Sequence, residues 1–348
     1  MKTISLIVPT YNVESYLDKC LGSLPADKEG LEVLVIIDGS KDGSRDIALY
    51  YQKKYPDVFK VIEKDNGHYG SCVNVGLSLA NGKYVKILDA YDFYDPSFSE
   101  FISFLDQIDA DVVISNSVIV DEENNEKHLI DYSFEPYSVS DVSTLLLRLD
   151  RDIPLIHHQE LTYKLSLLKE IGYQQTEGIS YTDLEWSSIP FIAVKSYAYF
   201  PKIVYRYLEG REGASVSAEY RKKNMWMENK VVLGLVEKYE SIKDRVSSDN
   251  ASVFKSFISS MIRHVYYHYM VKWPVFLDEK ELESFDSKLL SISYELYQLV
   301  SDTKDGRKFG TFYYVNDFRR KKTRKQIKYY YYDLCMSINS KINKILNK

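Results

Sequence analysis

The sequence predicts an α/β protein with a Rossmann-like sheet of largely parallel strands covered by helices, followed by a helical carboxyl-terminal region. Three observations lead there. Short β-branched runs alternate with helix-period segments of ten or so residues as far as residue 88. The strand runs are almost continuously apolar, as strands buried on both faces are. Strand-like runs then give way to long helical stretches after Gly213.

Thr3-Ile4-Ser5-Leu6-Ile7-Val8 is the first expected strand, stopping at Pro9-Thr10-Tyr11-Asn12. Residues 14–24 follow as a helix, with Tyr16, Leu17, Cys20, Leu21 and Leu24 on one face. Val33-Leu34-Val35-Ile36-Ile37 is the second strand, ending at Asp38-Gly39-Ser40 before a helix over 43–55. A strand over 58–62, a helix over 70–80 and a strand over 84–88 complete the alternation, and the last empties into Asp89-Ala90-Tyr91-Asp92-Phe93-Tyr94-Asp95-Pro96. Helices are expected over 219–243, 252–272, 279–301 and 312–348, dividing the chain into residues 1–215 and 216–348.

The chemistry concentrates at the strand ends. Asp89, Asp92 and Asp95 fall within seven residues, where an acidic turn and a ligand site are both reasonable readings. Ligands of open α/β sheets collect outside the carboxyl ends of the strands. Nucleotide recognition needs a ring to stack on the base, an acceptor for its imide N–H, and carboxylates for ribose or metal.

In Ser5-Leu6-Ile7-Val8-Pro9-Thr10-Tyr11-Asn12, Ile37-Asp38-Gly39-Ser40-Lys41-Asp42-Gly43-Ser44, Asn66-Gly67-His68-Tyr69-Gly70 with Asn74 and Gly76, Asp89-Ala90-Tyr91-Asp92 with Pro96, and Tyr181-Thr182-Asp183-Leu184-Glu185-Trp186, the chain resembles the family 2 glycosyltransferases. The resemblance spans residues 3 to about 215 and implies a GT-A fold, the nucleotide-diphospho-sugar transferase type of mixed sheet. It further implies inverting transfer of a hexose from a nucleotide sugar, UDP being the commonest donor, to a glycan hydroxyl in surface polysaccharide or glycoprotein assembly. By position, Tyr11 stacks on the base with Pro9 and Thr10 shaping its loop, Asp38 accepts from the imide, and Asn66 and Gly67 line the same pocket. Asp89 and Asp92 hold Mn2+ or Mg2+, or Asp89 binds ribose while Arg206 or Arg211 neutralises the diphosphate. Tyr91 stands where a second acidic residue is expected and Val73 where an Arg is expected; a phenol is a poor ligand for a hard cation.

The resemblance implies Asp183 as the general base, since an acceptor hydroxyl attacks an anomeric carbon productively only when a positioned group removes its proton. A helix N-cap is the competing role, and Glu185 is the alternate base. By the same resemblance, His158, Glu185 and Trp186 fall on the acceptor side. His157 and His158 have no companion at metal-ligand spacing. A non-catalytic glycosyltransferase-like partner protein is the alternative function.

Composition sets the remaining bounds. The 348 residues are 45% hydrophobic and 27% charged, ordinary for a folded protein. Three scattered cysteines form no CxxC pair, which argues against a disulfide or zinc framework and fits a cytoplasmic setting. No leader and no apolar run near eighteen residues stands in the sequence. Tyrosine is abundant, 31 against 15 Phe and 3 Trp, which suits sugar contacts, interfaces and membrane headgroups alike. From residue 318 onward ten Lys or Arg face one acid, Asp333. Ile327, Tyr331, Leu334, Ile338, Ile342 and Ile345 form an apolar stripe beside Arg324, Lys328, Lys341 and Lys344. Such a helix suits either an anionic membrane surface, as a peripheral protein, or docking on protein, a homo-oligomer included. No nucleic-acid motif accompanies it.

Overall fold

The computed structural model of the protein describes residues 2–25, 29–132, 134–145, 156–211, 217–272, 278–301 and 313–319. Four parallel strands form one half of the sheet: β1 (Lys2–Thr10), β2 (Leu31–Asp38), β3 (Phe59–Lys64) and β4 (Gly82–Ile87). Helices α1 (Glu14–Gly22), α2 (Ser44–Lys54) and α3 (His68–Leu79) connect them. Ile4, Leu6, Val8, Val33 and Val35 are wholly buried in the core. Each such side chain contributes about 1.5–3 kcal/mol relative to exposure, which is why these runs read as strands without any alternation. The strands run slightly longer than expected and the helices begin or end within about two residues of expectation, the usual uncertainty of element ends.

Beyond residue 88 come β5 (Phe93–Tyr94), α4 (Phe98–Gln107), β6 (Val112–Val120), β7 (Glu126–Ile130), β8 (Val139–Asp141), β9 (Leu161–Lys164), α5 (Leu165–Glu170), α6 (Asp183–Ser188) and β10 (Ser196–Leu208). The sheet order is β3-β2-β1-β4-β9-β6-β10-β5, with β7 on β6 and β8 on β10. β9 lies antiparallel between β4 and β6, so the sheet is mixed. This insertion has a geometric result. The start of an antiparallel strand lies at the edge where its neighbour ends, so the turn His158–Glu160 before β9 meets the carboxyl end of β4.

The chain divides into two compact units, Met1–Ala214 with Ile242–Phe254, and Ser215–Ser241 with Lys255–Lys348. The second contains most of α7 (Ala218–Ile242) and α8 (Ser248–Tyr267), the π-turn His268–Lys272, α9 (Glu279–Ile292), α10 (Tyr294–Leu299) and α11 (Tyr313–Arg319). The single helix expected over 279–301 is broken at Ser293, whose φ of −142° is non-helical and whose hydroxyl caps α10 by accepting from Leu296 N. Arg319 anchors α11 within this unit through Asp286 and the face of Tyr297. Residues 320–348, most of the expected basic helix, lie outside the described residues. Among the described residues no helix is long and apolar enough to cross a membrane.

Candidate active site

The loops after β1 and β2 are tied to each other. Asn12, in the left-handed region at φ +49°, accepts from Lys41 N at 2.8 Å, and its own N–H donates to Ser40 Oγ at 3.2 Å. Val13 N donates to Ser44 Oγ, and Glu14 N to Asp42 Oδ2. Tyr11 is held on this lattice with its side chain outward, 51% exposed, beside a partly buried Pro9 and a buried Thr10. That is the presentation a base-stacking ring requires.

Asp38 is differently placed. It is 2% exposed, and its Oδ1 accepts from Lys64 Nζ at 2.6 Å and from Gly67 N at 2.9 Å. Asn66 Nδ2 donates to the Asp38 carbonyl. Burial and this carboxylate push the Cys72 thiol up to about 12. Asp38 therefore fixes the Asn66–Gly67 corner rather than standing open as an acceptor, and Lys64, unremarked in the sequence, is its counter-ion. Gly70 then packs α3 so closely on the 173–178 segment that a Cβ there would lie 2.1 Å from the Thr176 carbonyl oxygen.

Asp89, 4% exposed at the end of β4, is enclosed by donors. Tyr69 OH donates to Oδ1 at 2.8 Å and Tyr91 OH to Oδ2 at 3.1 Å, while His158 Nε2 lies 3.2 Å from Oδ2. Its backbone N–H donates to Tyr205 OH. Burial opposes the charged carboxylate, but the His158 charge and these hydrogen bonds outweigh it and hold Asp89 below the usual carboxylate range. Asp92 behaves oppositely. It is wholly buried, Oδ2 accepts from Tyr205 OH and Oδ1 from Leu208 N, both at 2.7 Å. Burial and the neighbouring Asp89 charge push its carboxyl well above the usual carboxylate range. Asp92 is thus a strut between the β4 loop and β10, not the cation ligand expected. The donor set around both residues does not fit a divalent ion: Asp89 faces three donors, Asp92 faces inward, and no group of three His, Cys, Asp or Glu among the described residues is arranged to hold a metal.

His158, 5% exposed, joins two carboxylates. Its Nδ1 lies 3.8 Å from Asp183 Oδ2, while Nε2 faces Asp89. Burial opposes protonation, yet Asp89, followed by Asp183 and Glu160, raises it to about 9. The turn that presents it is capped by Glu160, which accepts from His157 N, Ser117 Oγ and Tyr132 OH. Lys86, buried in β4, adds hydrogen bonds to the Gln159 and Leu161 carbonyls. Neither Glu160 nor Lys86 was singled out in the sequence, although a lysine inside an apolar strand run is itself a signal.

Asp183 opens α6, with Thr182 rather than Asp183 at the cap position, and its side chain is 39% exposed. Tyr181 before it is in the left-handed region at φ +69°, a local strain that sets the direction of the helix start. Glu185, the alternate base, is buried and accepts from Thr176 N at 2.7 Å and Thr176 Oγ1 at 2.6 Å. Trp186 is wholly buried between Tyr163 and Tyr173, so it packs the core instead of meeting an acceptor. Arg206 is engaged by Asp95 at 2.8 Å and Glu126 at 2.9 Å. Arg211 stacks on Tyr91, Cζ 3.6 Å from the ring centroid, beside the Asp89 cluster. The structure therefore gathers Asp89, His158, Asp183, Tyr91 and Arg211, and leaves Arg206, Glu185 and Trp186 outside.

The raised His158 fixes a sign for pH dependence. Its protonated form contributes stability fully present below its ordinary value of 6.5 and lost as pH rises through about 9. Lys86, pushed from 10.5 to about 7 by burial, works in reverse: its contribution is present above 10.5 and lost as pH falls through about 7. The two slopes oppose each other at mildly alkaline pH, so the direct measurement is an NMR titration of the His158 imidazole. A midpoint near 9 is expected, falling in Asp89→Asn; a midpoint near 6.5 in the unsubstituted protein contradicts the pairing.

Comparison with known proteins adds four likenesses. Residues 5–172 match the family described as Glycosyl transferase family 2. EpsH of Bacillus subtilis (strain 168) is 35% identical over 114 residues, 32% of this chain and 33% of its own length. The minor teichoic acid biosynthesis protein GgaB of the same organism is 23% identical over 311 residues, 86% of this chain and 32% of its own length. The chain thus spans about a third of the length of these two relatives. The crystal structure of S. aureus TarS 1-349 in complex with UDP-GlcNAc superposes with a TM-score of 0.64 at 19% identity, covering 95% of this chain and 89% of that one, which shows the GT-A-like fold.

Proposed function

We propose, from the premise that the chain belongs to glycosyl transferase family 2 through residues 5–172, that the protein is an inverting glycosyltransferase acting in surface-glycan synthesis. It moves a hexose from a UDP-sugar to a glycan hydroxyl. The observation that carries this reading is the Asp89–His158–Asp183 chain at the carboxyl edge of β4, which runs from a buried ionised carboxylate to one open to solvent. In the proposed step the acceptor oxygen bonds to the anomeric carbon as the bond from that carbon to the diphosphate breaks. The proton leaves the acceptor hydroxyl for Asp183, and the electron pair departs with the UDP. Tyr11 stacks on the uracil, over the corner that Asp38, Lys64, Asn66 and Gly67 fix. The UDP-GlcNAc of the TarS complex supports the donor class, and the name of GgaB supports a surface-polymer acceptor.

A nucleotide-release screen of UDP-sugars, with calorimetry of UDP binding, tests the reading. Tyr11→Ala is expected to weaken UDP binding by about 1–3 kcal/mol, the range for one base stacked on an aromatic ring. Unchanged UDP affinity in that variant removes Tyr11 from the donor pocket. Retained UDP binding with no release from any donor replaces the enzyme with a nucleotide-binding partner protein.

A further inference from the structure

We infer that this site receives the donor diphosphate without a divalent cation, with Arg211 supplying the positive charge. The inference rests on the donor reading above and follows from how each group near Asp89 is already engaged.

A carboxylate ligates a hard cation through its oxygen lone pairs. At Asp89 those lone pairs are directed to Tyr69 OH, Tyr91 OH and His158 Nε2, at 2.8, 3.1 and 3.2 Å. Asp92 brings no second ligand, because both of its oxygens accept hydrogen bonds from β10 in a position with no solvent access. Tyr91 is the pivot: its hydroxyl donates to Asp89 and its ring face carries the Arg211 guanidinium. A cation seated beside Asp89 would displace the phenol and crowd this guanidinium.

The same contact gives Arg211 a use. A cation–π contact holds the group at the rim of the cluster while leaving its N–H edges free of the ring. A guanidinium presents a planar fork of donors that matches two phosphate oxygens at once. Arg206, the other arginine on this part of the chain, has its fork committed to Asp95 and Glu126. Tyr91 in place of an acid and Arg211 stacked upon it therefore form one device, in which the residue that removes a metal ligand also seats the replacement charge.

Calorimetry of UDP binding to the full chain, in EDTA and in millimolar MnCl2, decides the matter. Equal affinity in the two buffers is expected. Arg211→Ala should weaken binding in both by about tenfold or more, the scale of one charge-assisted hydrogen bond, and Arg211→Lys should recover part of the loss. Tyr91→Asp, which frees Asp89 and adds a carboxylate, should make UDP affinity respond to Mn2+. An about tenfold tightening of unsubstituted protein by Mn2+ overturns the inference while leaving the donor reading intact, and so does an Arg211→Ala variant with unchanged affinity. No UDP binding in either buffer overturns the donor reading and this inference with it.

Discussion

Asp183→Asn is expected to leave UDP binding unchanged and to cut sugar transfer by about 10²–10⁴-fold, the contribution of a positioned general base. The amide keeps the size and the position at the start of α6 but cannot take the acceptor proton. Asp183 also helps hold His158 charged, so loss of rate alone does not separate a base from a support. The separating measurement is the pH profile: a base gives an acidic limb in kcat that disappears in the Asn variant, whereas a support shifts the His158 titration and leaves that limb. Near-normal transfer by Asp183→Asn would move the base elsewhere, and Glu185 is a weak successor because Thr176 already holds both of its oxygens.

The second large effect is on folding. Asp92→Ala leaves Leu208 N and Tyr205 OH without their acceptor in a region closed to solvent, which should destabilise the protein by about 2–5 kcal/mol. Asp92→Asn should recover only part of that loss, since its single oxygen can accept from one of the two donors while its NH2 faces the other. Urea unfolding of the two variants reads the difference. An Asn variant as stable as the unsubstituted protein would contradict the double-acceptor role. A cation-ligand role predicts another pattern, in which Ala and Asn both lose Mn2+ response and stability barely changes.

These two residues show what the sequence could and could not convey. Strands β1 to β4 were legible because burial on both faces writes itself as an uninterrupted apolar run. β9 was not: Leu161–Lys164 is four residues long, and nothing in its composition says that it enters antiparallel between β4 and β6. That insertion brings His158 to Asp89 across 69 positions of chain, so no local spacing could reveal the pair. Motif position marked Asp92, Glu185, Trp186 and Arg206 along the chain but not the direction in which each side chain points. All four turn toward structural partners. Asp183 and Tyr11 remain solvent-accessible, and an exposed polar or aromatic group beside a strand end was the part of the site that sequence order could mark.

The close approach at Gly70 has a genetic consequence. A methyl group there would press on the Thr176 carbonyl oxygen. Thr176 grips Glu185 through both its N–H and its hydroxyl, and Glu185 lies two residues beyond Asp183 on α6. Pressure at the start of α3 is thereby transmitted by two rigid contacts to the helix that begins at Asp183, the proposed base. Loss-of-function alleles at Gly70 should accordingly resemble lesions of Asp183 while sparing donor affinity. Their second-site suppressors should map to residues 173–178, where a shortened or retracted loop restores the missing clearance.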